Sequence, residues 1–301
     1  MNQIYRKQVA LLLDVLPDVA KETCFAMHGG TAINLFVRNM PRLSIDIDLT
    51  FLKIAGRNET LAGINAALLR IKARIETVRP SVRIEHKAEV CKLIIEERGV
   101  IIKVEVNMIS RGVLASPKAM MLCEMAQEAF DVFCAMRIVP MAQLYGGKLC
   151  AALDRQHPRD LFDVKLLFEN EGFTEEIKQG LMFGLVSSNR PTHEMLNPNL
   201  QDQRTAFEQQ FKGMTTHPFS YEDYETTRFK LIELIKAGLN DQDKAFLLSV
   251  NRLEPDWSIY DYRHFPSVKW KLLNLAKFKQ LNPVSYQQQL GELQALFTGN
   301  V

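Results

Sequence analysis

The hydrophobic periodicity of this chain changes once, at Pro140, and that change limits the fold more than any other feature. Ahead of it, runs at 82–87, 90–96 and 100–108 are rich in Val and Ile and separated by turn residues, the pattern of strands. Glu97-Arg98-Gly99 reads as a hairpin turn between the last two, and 130–138 reads as a final strand. Helical spacing covers 3–20 and 59–78, the latter with Arg70, Lys72 and Arg74 close together. Beyond Pro140 apolar residues recur at helical spacing over 141–155, 160–169, 174–187, 202–211, 222–238, 241–250, 267–279 and 285–297. The Asn- and Pro-containing stretch 188–200 reads as a loop. The pattern predicts an α+β chain: a mixed sheet with helices over residues 1–140, then a helical domain over 141–301.

Composition supports a folded chain. Of 301 residues, 47% are hydrophobic and 24% charged, which supplies a large core and argues against disorder. A net charge of +2 neither demands nor excludes a nucleic-acid partner. The five cysteines include no Cys-x-x-Cys, are odd in number and sit mostly in apolar runs, so free thiols in a reducing compartment are expected. No apolar stretch is long enough to cross a bilayer, and the first residues lead into an amphipathic helix. A cytoplasmic protein with no membrane partner is the expectation. The six histidines show no metal-ligand spacing.

The chemistry concentrates between residues 24 and 52. Cys24 to Met27 is a short apolar run, Gly29-Gly30 is a turn signal, and Ala32 to Arg38 reads as a helix. A strand, a glycine turn and a helix start present free N–H groups to a phosphate. Ser44 to Leu52 then alternates with period two, so Asp46 and Asp48 project from one face. Two adjacent carboxylates repel unless a cation lies between them. Mg²⁺ is commonly held by one or two carboxylates plus substrate phosphates. Lys103, Glu105 and Asn107 share one face of a second strand, where Glu105 can complete a three-carboxylate set.

Past Pro140, Lys148 follows Gly146-Gly147 inside a helix. Each glycine costs that helix ~1 kcal/mol relative to alanine, so close approach of the backbone to a ligand or another element is expected. Arg159-Asp160-Leu161-Phe162-Asp163 opens the next helix, with Asp160 in its first turn. Trp257, Tyr260, Tyr262, Phe265 and Trp270 suit either base stacking or a helical core. Core is favoured, because Val268, Leu272 and Leu275 continue at helical spacing.

Gly29-Gly30-Thr31, then Arg42-x-Ser44-x-Asp46-Ile47-Asp48, resembles the first motif of the DNA polymerase β-like nucleotidyltransferase superfamily. With Ile102 to Asn107, Leu144 to Asp163 and Asp256 to Leu275, the chain looks most like the AbiEii/AbiGii toxin family, over roughly residues 20 to 280. Thr31 stands where many superfamily members have Ser, and Glu105 where Asp is common. The resemblance implies a polymerase β-like mixed sheet and a helical domain that contributes to the active site and to acceptor binding. It implies transfer of a nucleoside monophosphate from an NTP to an acceptor hydroxyl, with a tRNA 3′ end as a plausible acceptor. Asp46, Asp48 and Glu105 would hold Mg²⁺, or Mn²⁺ in its place; Gly29, Gly30, Thr31, Arg42 and Ser44 would bind nucleotide. Lys148 would contact the nucleotide's phosphate, and Asp163 would orient Lys148 or the nucleotide with Asp160 beside it. The family's Asp-Leu-x-x-Asp-like motif is met here in shortened form, so either aspartate can carry its role. Arg155 and Arg159 would serve phosphate or acceptor contacts. The resemblance also implies a growth-inhibiting toxin of a toxin–antitoxin or phage-resistance system, with an antitoxin of the AbiEi type. A protein or small-molecule acceptor, and a non-catalytic nucleotide- or RNA-binding module, stay open as alternatives.

Overall fold

The alternating segments ahead of Pro140 form one seven-stranded mixed sheet in the computed structural model, which describes residues 2–299. The strands are β1 Phe25–His28, β2 Asp46–Phe51, β3 Arg83–Lys87, β4 Lys92–Glu97, β5 Val100–Asn107, β6 Lys118–Met121 and β7 Ala135–Ile138, in the order β3-β4-β5-β2-β1-β7-β6. β2 and β5 run parallel, as do β1 and β7; the other neighbours are antiparallel. Arg98 and Gly99, both at positive φ, join β4 to β5 with Glu97 opposite Val100. A two-residue connection with both φ values positive matches the twist of the flanking strands.

Helices α1 Gln3–Ala20 and α3 Arg57–Val78 bury Leu12, Leu13, Leu16, Val19, Ile64, Leu68, Ile71 and Ile75 in the same core as Ile47, Leu49, Leu93, Ile95 and Val104. The basic cluster of α3 is consumed inside this core's rim. Arg70 and Arg74 both bind the buried Glu22, at 2.6 and 2.8 Å, and Lys72 donates to the Ile84 carbonyl. Those three charges therefore hold the fold together and form no free basic face.

The last predicted strand is corrected at its start. Residues 124–130 form a helix, α4 Glu124–Phe130, and only Ala135–Ile138 is strand. Asp131 at φ 52° ends that helix in the left-handed region. β6, one of the sheet's two outer strands, has no counterpart in the sequence pattern; its residues are mostly exposed and carry no alternation. The helix expected over 32–38 starts earlier, as α2 Gly29–Ala32, and widens into a π turn over Ile33–Val37.

Two compact units divide the chain: 1–140 with 211–218, and 141–210 with 219 onward. The returning segment 211–218 bonds to the loop before β2, through Leu43 N to Met214 O at 2.7 Å and Thr215 Oγ1 to Pro41 O at 2.7 Å. Placing all of 141–301 in one helical domain thus misses this piece.

The second unit is helical: α5 Met141–Arg155, α6 Pro158–Asn170, α7 Glu175–Ser187, α8 Thr192–Leu196, α9 Arg204–Ala206, α10 Tyr221–Gly238, α11 Asp241–Asn251, α12 Pro266–Leu281 and α13 Pro283–Thr298. α8 lies in the stretch read as a loop. α5 and α7 cross with backbones almost touching. A Cβ on Gly146 would lie 2.1 Å from the Gly180 carbonyl carbon, and one on Gly180 would lie 1.7 Å from the Ala142 oxygen. Gly146 thus serves close packing against another element, one of its two expected uses. Gly147 faces open space. Tyr260, Tyr262 and Phe265 pack with Phe183 and Phe246, so these aromatics are core; Trp270 is exposed.

Candidate active site

β2 and its two neighbours set the geometry in the first unit. Asp48 pairs in register with Glu105 on β5 and with His28 on β1, and Glu105 pairs with Lys92 on β4. Residues opposite one another project from the same face of a sheet. Lys92, Glu105, Asp48 and His28 therefore form a row across one face, with Asp46 two residues before Asp48 on the same side. The core-forming Ile47, Leu49 and Val104 point the other way and are fully buried. Asp46, Asp48 and Glu105 are all half-buried, so their carboxylates stand at a partly wetted surface.

Gly29 fits beneath this row. Its φ of 77° is one that L side chains rarely adopt, and a Cβ there would lie 2.5 Å from Asp48 Oδ2. Gly30 does the same for the next two residues. A Cβ on it would lie 2.7 Å from Arg42 Nη2 and 2.9 Å from Ser44 Oγ. The glycine turn lets Asp48, Arg42 and Ser44 close directly on backbone.

Thr31, Arg42 and Ser44 are positioned by one another. The fully buried Thr31 hydroxyl donates to the Asp46 carbonyl oxygen, and Ser44 Oγ lies 3.0 Å from it. Arg42 is 1% exposed and donates from Nη1 to its neighbour's carbonyl at Leu43, 2.9 Å away. These side chains brace the glycine turn and the entry to β2 from within.

Asp46 and Asp48 suit a hard divalent cation: two oxygen donors on one face, with room over Gly29 where any larger residue would intrude. Glu105 stands one strand away on that face, but its Oε1 pairs with Lys92 Nζ at 2.7 Å. Among the described residues no three His, Cys, Asp or Glu side chains are gathered closely enough to hold a metal ion. The two aspartates fit a cation that takes further ligands from a bound nucleotide; Glu105 is engaged by an ammonium that the sequence reading missed. Its signal was available, since counting back from the Arg98-Gly99 turn sets Lys92 opposite Glu105.

A separate ionic set lies in the second unit. Lys148 on α5 is 6% exposed and pairs with Asp160 Oδ1 at 2.7 Å and Asp163 Oδ2 at 3.0 Å, both on α6. Two aspartates three apart on a helix meet the same neighbour, so both share the lysine. Arg155 closes the set with two hydrogen bonds to Asp160, at 2.6 and 3.1 Å. Two positive and two negative charges balance. Burial on its own would raise the Asp160 pKa, but the charge of Lys148 and the hydrogen bond from Arg155 hold its carboxyl well below the usual range. Arg155 is thereby spent on Asp160, and Arg159 lies half-buried on α6. His157 caps α6, accepting from Arg159 N.

The family model for the nucleotidyl transferase AbiEii toxin of type IV toxin–antitoxin systems matches residues 10–274. Among solved structures, MenT4, a nucleotidyltransferase toxin from Mycobacterium tuberculosis H37Rv, superposes with a TM-score of 0.59 at 16% identity, covering 91% of this chain and 98% of that one. At that identity the likeness shows a shared fold. No curated protein matches the sequence. Among the described residues no helix is long and apolar enough to cross a membrane.

Proposed function

Because this chain belongs to the nucleotidyltransferase AbiEii toxin family of type IV toxin–antitoxin systems, we propose that it moves a nucleoside monophosphate from an NTP onto the 3′ end of a tRNA. The observation that carries the reading is the Asp46–Asp48 pair on one face of β2, over a glycine whose missing Cβ leaves room at Asp48. Asp46 and Asp48 would hold Mg²⁺, or Mn²⁺ in its place, which would supply charge neutralisation for the triphosphate. The backbone at Gly29 and Gly30 offers donors to the phosphates, and Thr31, Arg42 and Ser44 keep that turn in shape. In the reaction, the acceptor hydroxyl oxygen bonds to the α-phosphorus as the bond to pyrophosphate breaks, and the hydroxyl proton passes to solvent water. The chain's contribution is position and charge, with no covalent step of its own. Glu105 joins the carboxylates once its pairing with Lys92 is exchanged for a cation.

Lys148 and Asp163, with Asp160, enter as nucleotide-side residues through the family resemblance. Their mutual pairing gives them a folding role as well, and Lys148→Met separates the two. Transfer lost with the fold intact supports a role in nucleotide handling; transfer retained by a folded variant removes it. The family implies an antitoxin partner, and we assign it to the AbiEi type, in a setting of growth control or phage resistance in the cytoplasm.

The deciding experiment incubates the protein with Mg²⁺, total bacterial tRNA and each NTP labelled at its α-phosphate, beside an Asp46→Ala, Asp48→Ala double variant. Label on tRNA from the unmodified chain alone supports the proposal and names the nucleotide. Label on protein or a small molecule keeps the chemistry and replaces the acceptor. Nucleotide bound with no label anywhere would sink the transferase assignment for these residues and favour a binding module.

A further inference from the structure

The first unit contains a buried positive charge that the Asp46–Asp48 site does not use. Arg111 follows β5 and is 8% exposed. Its Nε and Nη1 are sealed from solvent with no hydrogen-bond acceptor among the described residues. No carboxylate among the described residues pairs with it. Burial, and after it the like charge of Arg57, push its pKa down. A buried guanidinium that also feels a second positive charge is unfavourable on both counts, desolvation and like-charge repulsion, unless an anion joins it.

The backbone around the pair is also short of acceptors. Arg57 is the first residue of α3, which runs 22 residues. No side chain caps that end, and the first amide to find a partner is Thr60 N, on Gly56 O. The amides of Arg57, Asn58 and Glu59 thus lack helical partners, and the helix dipole adds positive potential there. Glu59, the acidic group of that turn, is already neutralised by Lys53 at 2.5 Å. The loop carrying Arg111 is fixed beside the end of β2 by Gly112 N donating to Phe51 O at 2.9 Å.

We propose that Arg111, Arg57 and the first turn of α3 form a phosphate-binding site distinct from the Asp46–Asp48 pair. Phe51 lies three residues past Asp48, which is ~10 Å along the strand. An acceptor strand whose end is held at the aspartates has further phosphates within that reach, and a free nucleotide carries the same group. Assigning the phosphate to an acceptor strand rests on the transferase reading; the site itself does not.

Nuclear magnetic resonance of the full chain tests this without turnover, by following Arg111 Nε–H and the amides of Arg57 to Glu59. Inorganic phosphate is added, with chloride at matched ionic strength as control. A saturable shift at these positions is expected, weakened roughly tenfold by Arg57→Gln, an exposed position where folding is not at risk. Arg111→Lys keeps the charge but loses the fork and should weaken it similarly. The transfer-deficient Asp46→Asn, Asp48→Asn chain should give the unmodified curve, so the site and the transferase reading can fail separately. Displacement of phosphate by tRNA assigns the site to a strand; displacement by NTP assigns it to a nucleotide. Displacement by neither would mean an adventitious ion only and would overturn the proposal, as would the absence of a saturable shift.

Discussion

Substituting Gly180 by alanine adds one methyl group where α5 and α7 cross in the second unit. The new Cβ would lie 1.7 Å from the Ala142 carbonyl oxygen and 2.3 Å from its carbon. Both atoms are backbone, so no rotamer change relieves the clash. Reaching even 3.0 Å requires α5 and α7 to part by more than an ångström. A gap of that size forfeits a quarter to a half of the dispersion energy along the contact, and overpacking in cores typically costs ~1–3 kcal/mol. With backbone as the obstacle the upper part of that range applies. Alanine returns ~1 kcal/mol through helix propensity, leaving ~2 kcal/mol of net destabilisation. Gly147 is the internal control, since it is exposed and a Cβ there meets nothing. Gly147→Ala should gain ~0.5–1 kcal/mol. For an m value of ~2 kcal/mol per molar urea, the midpoint should fall by ~1 M in Gly180→Ala and rise by ~0.3–0.5 M in Gly147→Ala. Circular dichroism of urea series on the three proteins reads this directly. A Gly180→Ala midpoint at or above the unmodified one would refute the packing account of the glycine pair.

Three other outcomes follow from the site geometry. Gly29→Ala places a methyl against Asp48 Oδ2 in a left-handed backbone, so nucleotide transfer should fall at least tenfold while far-ultraviolet dichroism keeps its shape. Lys92→Gln removes the ammonium from Glu105; the cation concentration for half-maximal transfer should fall several-fold, and an unchanged requirement would exclude Glu105 as a ligand. The Asp160 carboxyl is depressed in the folded chain, so its stabilisation is complete above the unfolded value of about 3.8 and is lost as the pH falls toward the folded value. Acid titrations of stability should therefore be less steep below pH ~4 in Asp160→Asn than in the unmodified chain.

The carboxylate pair was legible because strand period two leaves no other option for Asp46 and Asp48, and the β4–β5 turn was legible from Arg98-Gly99. The elements that escaped are those lacking an apolar period. β6 is an exposed outer strand, and α8 is a five-residue helix within Asn- and Pro-containing sequence. The clustering of basic residues on α3 was visible, but the shared partner of Arg70 and Arg74, Glu22, lies 48 and 52 positions away in sequence, beyond any local pattern. Lys148 with two aspartates was visible as a set of residue types. That both aspartates hold it at once depends on the angle between α5 and α6, which no local pattern encodes. Arg111 gave no sequence signal at all; its meaning lies in the partners it lacks.

The return of 211–218 to the first unit has a consequence for inheritance. The polypeptide passes between units three times, after Pro140, Gln210 and Pro218, so neither unit is one stretch of gene. Met214, 1% exposed, travels with the helical half in sequence, yet its carbonyl accepts from Leu43 N in the loop that carries Arg42. Exchanging the portion after Pro140 between relatives therefore also exchanges a support of the loop that carries Arg42. Viable hybrids should be those whose donor segment keeps the 214–215 contacts to Leu43 and Pro41, so the two halves are bound to diverge in step.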